Sequence, residues 1–362
     1  MAQDESPPAE MRRWQIASPG AFLRDLRLVT VPAPAASALK PNQVLVRVVA
    51  AGINPADYKL PDLGLVARAV LPFPKCPGMD YAGRAVAVGA DLADAIKPGD
   101  AVLGRIDPLS AQGTLGEYVV AERDGVAAFP GGGGGAASDD DGYDDDDLLE
   151  KAAAVGTAAL TAYQTIVPYV KAGDEVFING GSGGTGTFGI QIAKAVGCRV
   201  TVSCSAAKAE LCRSLGADDV IDYRAADVVA ALRARGRVFA LVVDNVGNAP
   251  PDLYAAAADF LLPAPAGRFK FVGGAVSLAQ ARSLAPSLLL PRFLGGAPHR
   301  FEAFMTRNSR ADLERVAAWM AEGKVRTVVD SVYAFEDAAA AYEKLKQGSA
   351  AGKIIVRVAS KA

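Results

Sequence analysis

Two hydrophobic rhythms divide the 362-residue chain. Between about residues 25 and 130 the apolar positions form short runs: Val44–Val49, Ala85–Val88, Ala101–Leu103 and Tyr118–Val120. Turn sequences such as Lys97-Pro98-Gly99-Asp100 separate them, and short strands at this spacing predict a small antiparallel barrel or sandwich. From about residue 171 the rhythm changes. Val176–Ile178, Val200–Val202, Val220–Ile221, Leu241–Val243 and Phe269–Val272 alternate with helical stretches, which predicts a parallel sheet. The uncharged stretch Ala152–Val170 contains Gly156, Gln164 and Pro168, so it reads as a buried helix and not a membrane span. Tyr333–Gln347 has the period of an amphipathic helix, with Phe335, Ala338, Ala341, Tyr342 and Leu345 on one face. Ile354–Val358 reads as a closing strand.

Gly131–Asp147 interrupts the pattern with the sequence GGGGGAASDDDGYDDDD. Such a segment cannot bury a core and is expected to be a disordered acidic surface insert. It carries seven aspartates, so without it the chain's net charge of −2 becomes +5. Neither value, nor a composition of 51% hydrophobic and 22% charged residues, gives a reason to expect nucleic acid or an anionic membrane as partner. Residues 1–18 mix acids and bases with no apolar core, so no targeting segment is evident and the cytoplasm is expected. The chain has one histidine, His299, and four cysteines, Cys76, Cys198, Cys204 and Cys212, with no CxxC pair. That excludes a His-rich metal site, the cysteine spacings match no zinc or redox signature, and a histidine base would have to be His299.

The most informative local pattern follows Glu175–Ile178. Asn179-Gly180-Gly181-Ser182-Gly183-Gly184-Thr185-Gly186 leads into the helical stretch Phe188–Val196. Gly181, Gly183 and Gly186 satisfy G-x-G-x-x-G between strand and helix, the context in which this spacing cradles a dinucleotide pyrophosphate. The backbone must approach the phosphates closely, and the helix N-terminus offers free N–H groups. Ser182, Gly183, Gly184, Thr185 and Gly186 are candidate cofactor contacts. A second reading competes. Gly180-Gly181-Ser182-Gly183-Gly184 fits the G-x-S-x-G nucleophile elbow, with Ser182, Asp244 and His299 in hydrolase order. Against it, an elbow has no need of Gly186, and His299 lies beside the Pro/Gly-rich Gly295–Pro298. The end of the next strand sets the cofactor. Thr187–Ala209 contains no acid to bond the ribose 2′-OH of NAD. Ser203, Ser205 and Lys208, with Tyr223 after the third strand, suit a 2′-phosphate, so NADPH is expected.

Further motifs occur in order: Gly52-Ile53-Asn54-Pro55-Ala56-Asp57, Pro77-Gly78-Met79-Asp80-Tyr81-Ala82-Gly83, Gly113-Thr114-Leu115-Gly116-Glu117-Tyr118 and Gly156-Thr157-Ala158-Ala159-Leu160-Thr161-Ala162-Tyr163. Leu215-Gly216-Ala217-Asp218, Ile221-Asp222-Tyr223 and the closing Gly352-Lys353 complete the set. From about residue 25 to 358 the chain resembles the zinc-independent medium-chain dehydrogenase/reductases, in their quinone oxidoreductase and enoyl reductase branch. The resemblance implies an α/β protein with a GroES-like β-barrel domain over residues 1–155 and 325–362. It implies a Rossmann domain, a doubly wound parallel sheet, over residues 156–324. Positions that match the catalytic cysteine, the His-Glu pair and the second cysteine of zinc-dependent relatives hold Asn54, Met79-Asp80 and Thr157. No metal is expected.

The same resemblance implies hydride transfer to an electron-poor acceptor and assigns roles. Asn54, Tyr58 and Lys59 fall on the substrate-side loop, with Lys59 the first candidate to donate to a carbonyl oxygen. Asp57 organises that loop and is counted with the cofactor side. Thr161 resembles a threonine beside the nicotinamide ribose. Asn245 and Val246, then Val272 and Gly273, should border the nicotinamide at the strands' carboxyl ends. Lys353 matches a lysine near the cofactor. Leu288-Leu289-Leu290 with Phe293, Phe301 and Phe304 reads as a pocket wall, a dimer surface or a core helix, and His299 as a surface residue. The expected protein is an NADPH-dependent, zinc-free reductase of quinones or α,β-unsaturated carbonyls, acting on a small electrophile as monomer or homodimer. A trans-acting enoyl reductase of a fungal-type polyketide pathway is a variant of this reading. A serine hydrolase using Ser182 and a non-catalytic NADPH-binding scaffold are the alternatives.

Overall fold

A computed structural model describes residues 7–130, 145–247, 249–273 and 299–359. The chain divides into two compact units, Met1–Leu160 with Arg307–Ala362, and Thr161–Thr306. In the first, β1 (Glu10–Ile16) and β2 (Leu26–Pro32) form an antiparallel ribbon. They are followed by β3 (Gln43–Ile53), β4 (Asp80–Val88), β5 (Ala101–Arg105), β6 (Tyr118–Glu122) and β7 (Val126–Ala128). The second unit contributes β8 (Glu175–Asn179), β9 (Arg199–Cys204), β10 (Asp219–Asp222), β11 (Phe239–Asp244), β12 (Arg268–Phe271) and β13 (Phe301–Ala303). The chain then returns to the first unit with β14 (Val329–Ala334) and β15 (Lys353–Arg357).

The second unit is the expected parallel sheet, ordered β10-β9-β8-β11-β12-β13 with every pairing parallel. Its strands are apolar through most of their length because both faces are covered. Phe177, Phe239, Phe260 and Phe269 lie in one fully buried cluster. In the first unit the sheet runs β14-β15-β3-β4-β5-β7, with β6 also paired to β3. Its core gathers Trp14, Ile16, Phe22, Tyr81, Phe335 and Tyr342.

Pairing register carries chemistry here. Gly52 lies opposite Asp80, Asp80 opposite Arg105, and Ile53 opposite Ile354. One end of this sheet therefore collects Asn54, Asp80, Arg105 and Lys353 from four segments of chain.

Three expectations need correction. The chain returns to the first unit at Arg307, not near residue 325. The helix Arg310–Ala321 buries Leu313, Val316 and Ala317 and contacts β7, so it belongs with the barrel-side core. At the other border the helix Val155–Ile166 begins in the first unit and ends in the second. Tyr333–Gln347 is not one helix: β14 takes Tyr333, a 3-10 turn follows at Phe335–Asp337, and the helix spans Ala338–Lys346. Its buried face still holds Phe335, Ala338, Ala341 and Tyr342. Finally, Asp145–Asp147, assigned to the acidic insert, open the helix Asp145–Ala152. The rest of that insert and the apolar residues Leu288–Leu290 and Phe293 lie outside the described residues. Among the described residues no helix is long and apolar enough to cross a membrane.

Candidate active site

The second unit holds a cradle made of backbone. β8 ends at Asn179, Gly180 turns at φ +80°, and the helix Gly184–Val196 starts four residues on. A Cβ on Gly186 would collide with the Gly180 carbonyl oxygen, so the loop closes only with glycine there. Beside Gly183 the space is open, the Gly180 oxygen at 3.6 Å being the one neighbour a Cβ would meet. The helix N-terminus carries no side-chain cap, which leaves its N–H groups free for an anion. Ser203 anchors the loop: its hydroxyl donates to Asn179 Oδ1 at 2.5 Å and accepts from the Gly180 N–H at 2.9 Å. Asp244 fixes the neighbouring strand end by accepting from Asn179 Nδ2 and the Val246 and Gly247 N–H groups. Burial pushes its carboxyl above the usual range, and these donors pull it back.

At this strand end the Asn245 side chain has both its Oδ1 and Nδ2 buried without a partner. An orphaned buried amide is costly, and a ligand with one donor and one acceptor, such as a carboxamide, would satisfy it. Gly273 packs against the Asn245 carbonyl, and the Val272 N–H bonds the Asp244 carbonyl at 2.9 Å. Thr161 shares a short hydroxyl–hydroxyl bond with Thr306. At the sheet edge the ends of β9 and β10 lie in register, Cys204 opposite Asp222. In the chain, Ser205, Lys208 and Tyr223 follow these ends. Arg224, which sequence reasoning passed over, stacks its guanidinium 5.8 Å from the Tyr223 ring centre and adds a second cation. The cradle, the free helix end and the orphaned amide fit a dinucleotide.

The first unit holds a cluster of buried side chains. Asp80 is fully buried. Its Oδ1 accepts from the Thr157 hydroxyl at 2.5 Å, and its Oδ2 from Asn54 Nδ2 at 2.8 Å and Lys353 Nζ at 3.1 Å. Lys353, 3% exposed, also donates to Asn54 Oδ1 at 2.6 Å and the Ile53 carbonyl at 3.2 Å. Asn54 caps the short helix Pro55–Lys59 in a reciprocal box with Asp57. Asp57 Oδ2 accepts from the Asn54 N–H at 2.7 Å and the Tyr342 hydroxyl at 3.1 Å, while its Oδ1 is buried without a partner. Burial pushes the Asp57 carboxyl up to about 7. Asp80 adds to the rise; the Asn54 N–H and Lys353 oppose it.

The chain matches the alcohol dehydrogenase GroES-like family over residues 40–136 and the zinc-binding dehydrogenase family over residues 215–356. It is 42% identical over 370 aligned positions, 97% of both chains, to a protein of Aspergillus terreus named trans-enoyl reductase pgmF. The chain is a medium-chain dehydrogenase/reductase. It is also 32% identical to the human mitochondrial NAD(P)H oxidoreductase RTN4IP1, covering 88% of this chain and 82% of that one. Among solved structures it is similar to the quinone oxidoreductase from Coxiella burnetii, with a TM-score of 0.76, 26% identity and coverage of 97% and 100%. Medium-chain dehydrogenase/reductases bind a nicotinamide cofactor.

Against that family pattern, Asn54, Asp80 and Thr157 meet in space, both others bonding the aspartate. These residues do not fit a zinc ion, which takes cysteine, histidine and carboxylate ligands. Here an amide and a hydroxyl flank one carboxylate, and an ammonium already occupies it. Among the described residues no group of three or more His, Cys, Asp or Glu is placed to hold a metal. The remaining expectations divide. Lys59 is exposed. Tyr58 packs near Phe22, with the Lys346 ammonium 4.7 Å from its ring centre, and so acts as a packing aromatic in the described contacts. Ser182 lies buried in the turn.

His299 is not a surface residue: it is buried, its Nε2 meets the Leu262 carbonyl at 2.8 Å, and its own carbonyl accepts from the Tyr254 hydroxyl. With Asp244 committed to Asn179 and the backbone, neither acid nor serine bonds this histidine, and the hydrolase triad is not assembled. Phe301 packs on Tyr254 and Phe271 as core. Asp80, Arg105, Asn308 and Tyr342 were missed as site residues. Only Asp80 carried a signal, its place within the Pro77–Gly83 motif.

Proposed function

We propose that the protein is an NADPH-dependent, zinc-free reductase that delivers hydride to the β-carbon of an α,β-unsaturated carbonyl, with an enoyl thioester as its substrate class. The observation that carries this reading is the buried Asn54–Asp80–Thr157 cluster with Lys353 bonded into it. A side-chain cation already bonded to the one carboxylate of this cluster supports a mechanism without zinc. The name of the 42% identical relative supports the enoyl acceptor. The NADPH choice is supported by the acid-free end of β9 and by the cations Lys208 and Arg224 near it.

When bound, the reduced nicotinamide supplies the hydride. The residues of this chain do the rest. Gly183–Gly186 and the helix behind them hold the pyrophosphate. The Asn245 amide orients a carboxamide. Asp80 and Asn54 fix the Lys353 ammonium in the first unit. We assign the protein to the cytosol. A quinone is the second acceptor, supported by the Coxiella burnetii structure.

Absorbance at 340 nm tests the reading. NADPH should be consumed with crotonyl thioesters, unaffected by a chelator, and NADH should be consumed more slowly. Turnover with naphthoquinone alone would shift the substrate to the quinone. Binding of NADPH with no turnover on either would leave a scaffold.

A further inference from the structure

Arg105 closes β5 at the crowded end of the first unit's sheet, opposite Asp80. Only 6% of it is exposed. Nε donates to the Thr157 hydroxyl at 3.1 Å, Nη1 to Asn308 Oδ1 at 2.7 Å, and Nη2 reaches Met79 Sδ at 3.8 Å. None of these partners is an anion. The Asn308 amide returns a bond to the Arg105 carbonyl at 3.0 Å, which clamps the residue in place.

A buried cation normally has a counter-charge, because desolvation is otherwise uncompensated. Four cations are buried among the described residues: Lys75, Arg105, Lys270 and Lys353. Lys270 pairs with Glu302 and Lys353 with Asp80. The Lys75 ammonium is capped by the Ser110 carbonyl. Among the described residues Arg105 has no carboxylate at ion-pair distance, since Asp80 spends its oxygens on Thr157, Asn54 and Lys353. A guanidinium has five N–H donors, and the contacts above use three, one of them on a weak sulfur acceptor. Burial holds Arg105 below its usual range, while Asp80, Asp107 and Asp57 pull the other way. Thr157 and Asn308 are half-buried, so this side of the cluster reaches solvent.

We infer that Arg105 binds the oxyanion of the acceptor, taking the substrate's carbonyl oxygen on its remaining N–H groups beside Thr157. The inference rests on the reductase reading above. As the β-carbon gains a C–H bond from the hydride, the C=C electron pair moves onto the carbonyl oxygen. A solvent proton then completes the α-carbon and the carbonyl reforms. Two electrons leave the reduced nicotinamide and end in the saturated product. The charge lives briefly on one oxygen, and a preorganised buried cation stabilises it more than it stabilises the neutral carbonyl.

The test compares the wild type with Arg105→Gln and Arg105→Lys, each with saturating NADP⁺. The propane nitronate anion serves as the probe, a planar mimic of an enolate. Arg105→Gln should bind the nitronate at least about tenfold more weakly and lose about 10²-fold in kcat, with the NADPH Kd unchanged. Arg105→Lys keeps the charge and should fall between the two. If Arg105→Gln does not fold, Arg105→Lys alone decides, by a kcat loss larger than its KM change. Equal nitronate affinity in wild type and variants overturns the inference, whatever the turnover. Arg105-dependent nitronate binding in a protein that reduces no enone upholds the anion site and overturns the reductase reading instead.

Discussion

The two units place polar chemistry at strand ends in opposite ways. In the second unit the site is made of backbone: a glycine turn, a bare helix N-terminus and free N–H groups. The charge of its glycine turn is the partial charge of dipoles, and that turn is contiguous from Asn179 to Gly186. In the first unit the site is made of ionisable side chains, Asp80, Lys353, Arg105 and Asp57, separated by up to about 300 positions. A dipole cradle tolerates changes to exposed side chains but not an added Cβ. A buried charge cluster tolerates neither a lost partner nor a changed protonation state. Four substitutions test that contrast.

Asp80→Asn should have the largest effect. It leaves the Lys353 ammonium buried without its counter-charge, and breaking one partner of a buried pair costs about 3–5 kcal/mol. Urea unfolding followed by circular dichroism should show the loss, and Lys353→Met added to Asp80→Asn should recover part of it. A stability within about 1 kcal/mol of wild type would mean that the pair is not desolvated as the geometry implies.

Gly186→Val acts on the other unit and through geometry alone. The added side chain meets the Gly180 carbonyl and must push the turn outward. A displacement of about 1 Å in a binding constellation costs about 10²-fold, so the NADPH Kd measured by fluorescence should rise by about that factor. The thermal stability of the first unit should hold. If Gly186→Val binds NADPH normally, the cradle is not the pyrophosphate site.

This asymmetry also explains what could be read from the chain. The cradle was legible because strand, turn and helix are neighbours in sequence, and glycine at three fixed positions has a backbone meaning. The parallel sheet was legible for the same reason, in its repeated apolar runs. The cluster in the first unit was not. Asn54 and Lys353 could be named only through family resemblance, and Arg105 and Asn308 carry no local pattern at all. What joins them is register, Gly52 opposite Asp80 opposite Arg105, and register is a tertiary fact. His299 was misread for a related reason. A lone polar residue in a Pro/Gly-rich stretch looks exposed until Leu262 and Tyr254 are seen to close over it.

Asp57→Asn sharpens the comparison through pH. The folded-state carboxyl is raised to about 7 by burial, against an ordinary value of 3.8. The native state therefore keeps its proton over a range in which the unfolded chain has lost it. The Asp57 contribution to stability therefore falls as pH rises from about 4 to about 7 and then levels off. Asparagine does not titrate, and its Oδ1 can still accept from Asn54 and Tyr342. Relative to wild type, Asp57→Asn should gain about 1.4 kcal/mol between pH 6 and pH 8 in urea titrations. A difference independent of pH would place the titrating group elsewhere.

The smallest effect belongs to the exposed edge of the cradle. Tyr223 is 52% exposed and Arg224 beside it is exposed as well, so any phosphate bound there stays in contact with water. Exposed charge pairs contribute about 0.2–1 kcal/mol, which converts to no more than about fivefold in affinity. Arg224→Ala should raise the NADPH Kd by about that much and leave the NADH Kd unchanged, because NADH lacks the phosphate. Raising the salt from low to physiological ionic strength should erase most of the difference, since exposed charges are screened within about 10 Å at 0.1 M. A buried cation such as Arg105 would not respond to salt in this way. If Arg224→Ala weakens NADPH and NADH alike, Arg224 supports the fold of the β10 end and reads no phosphate.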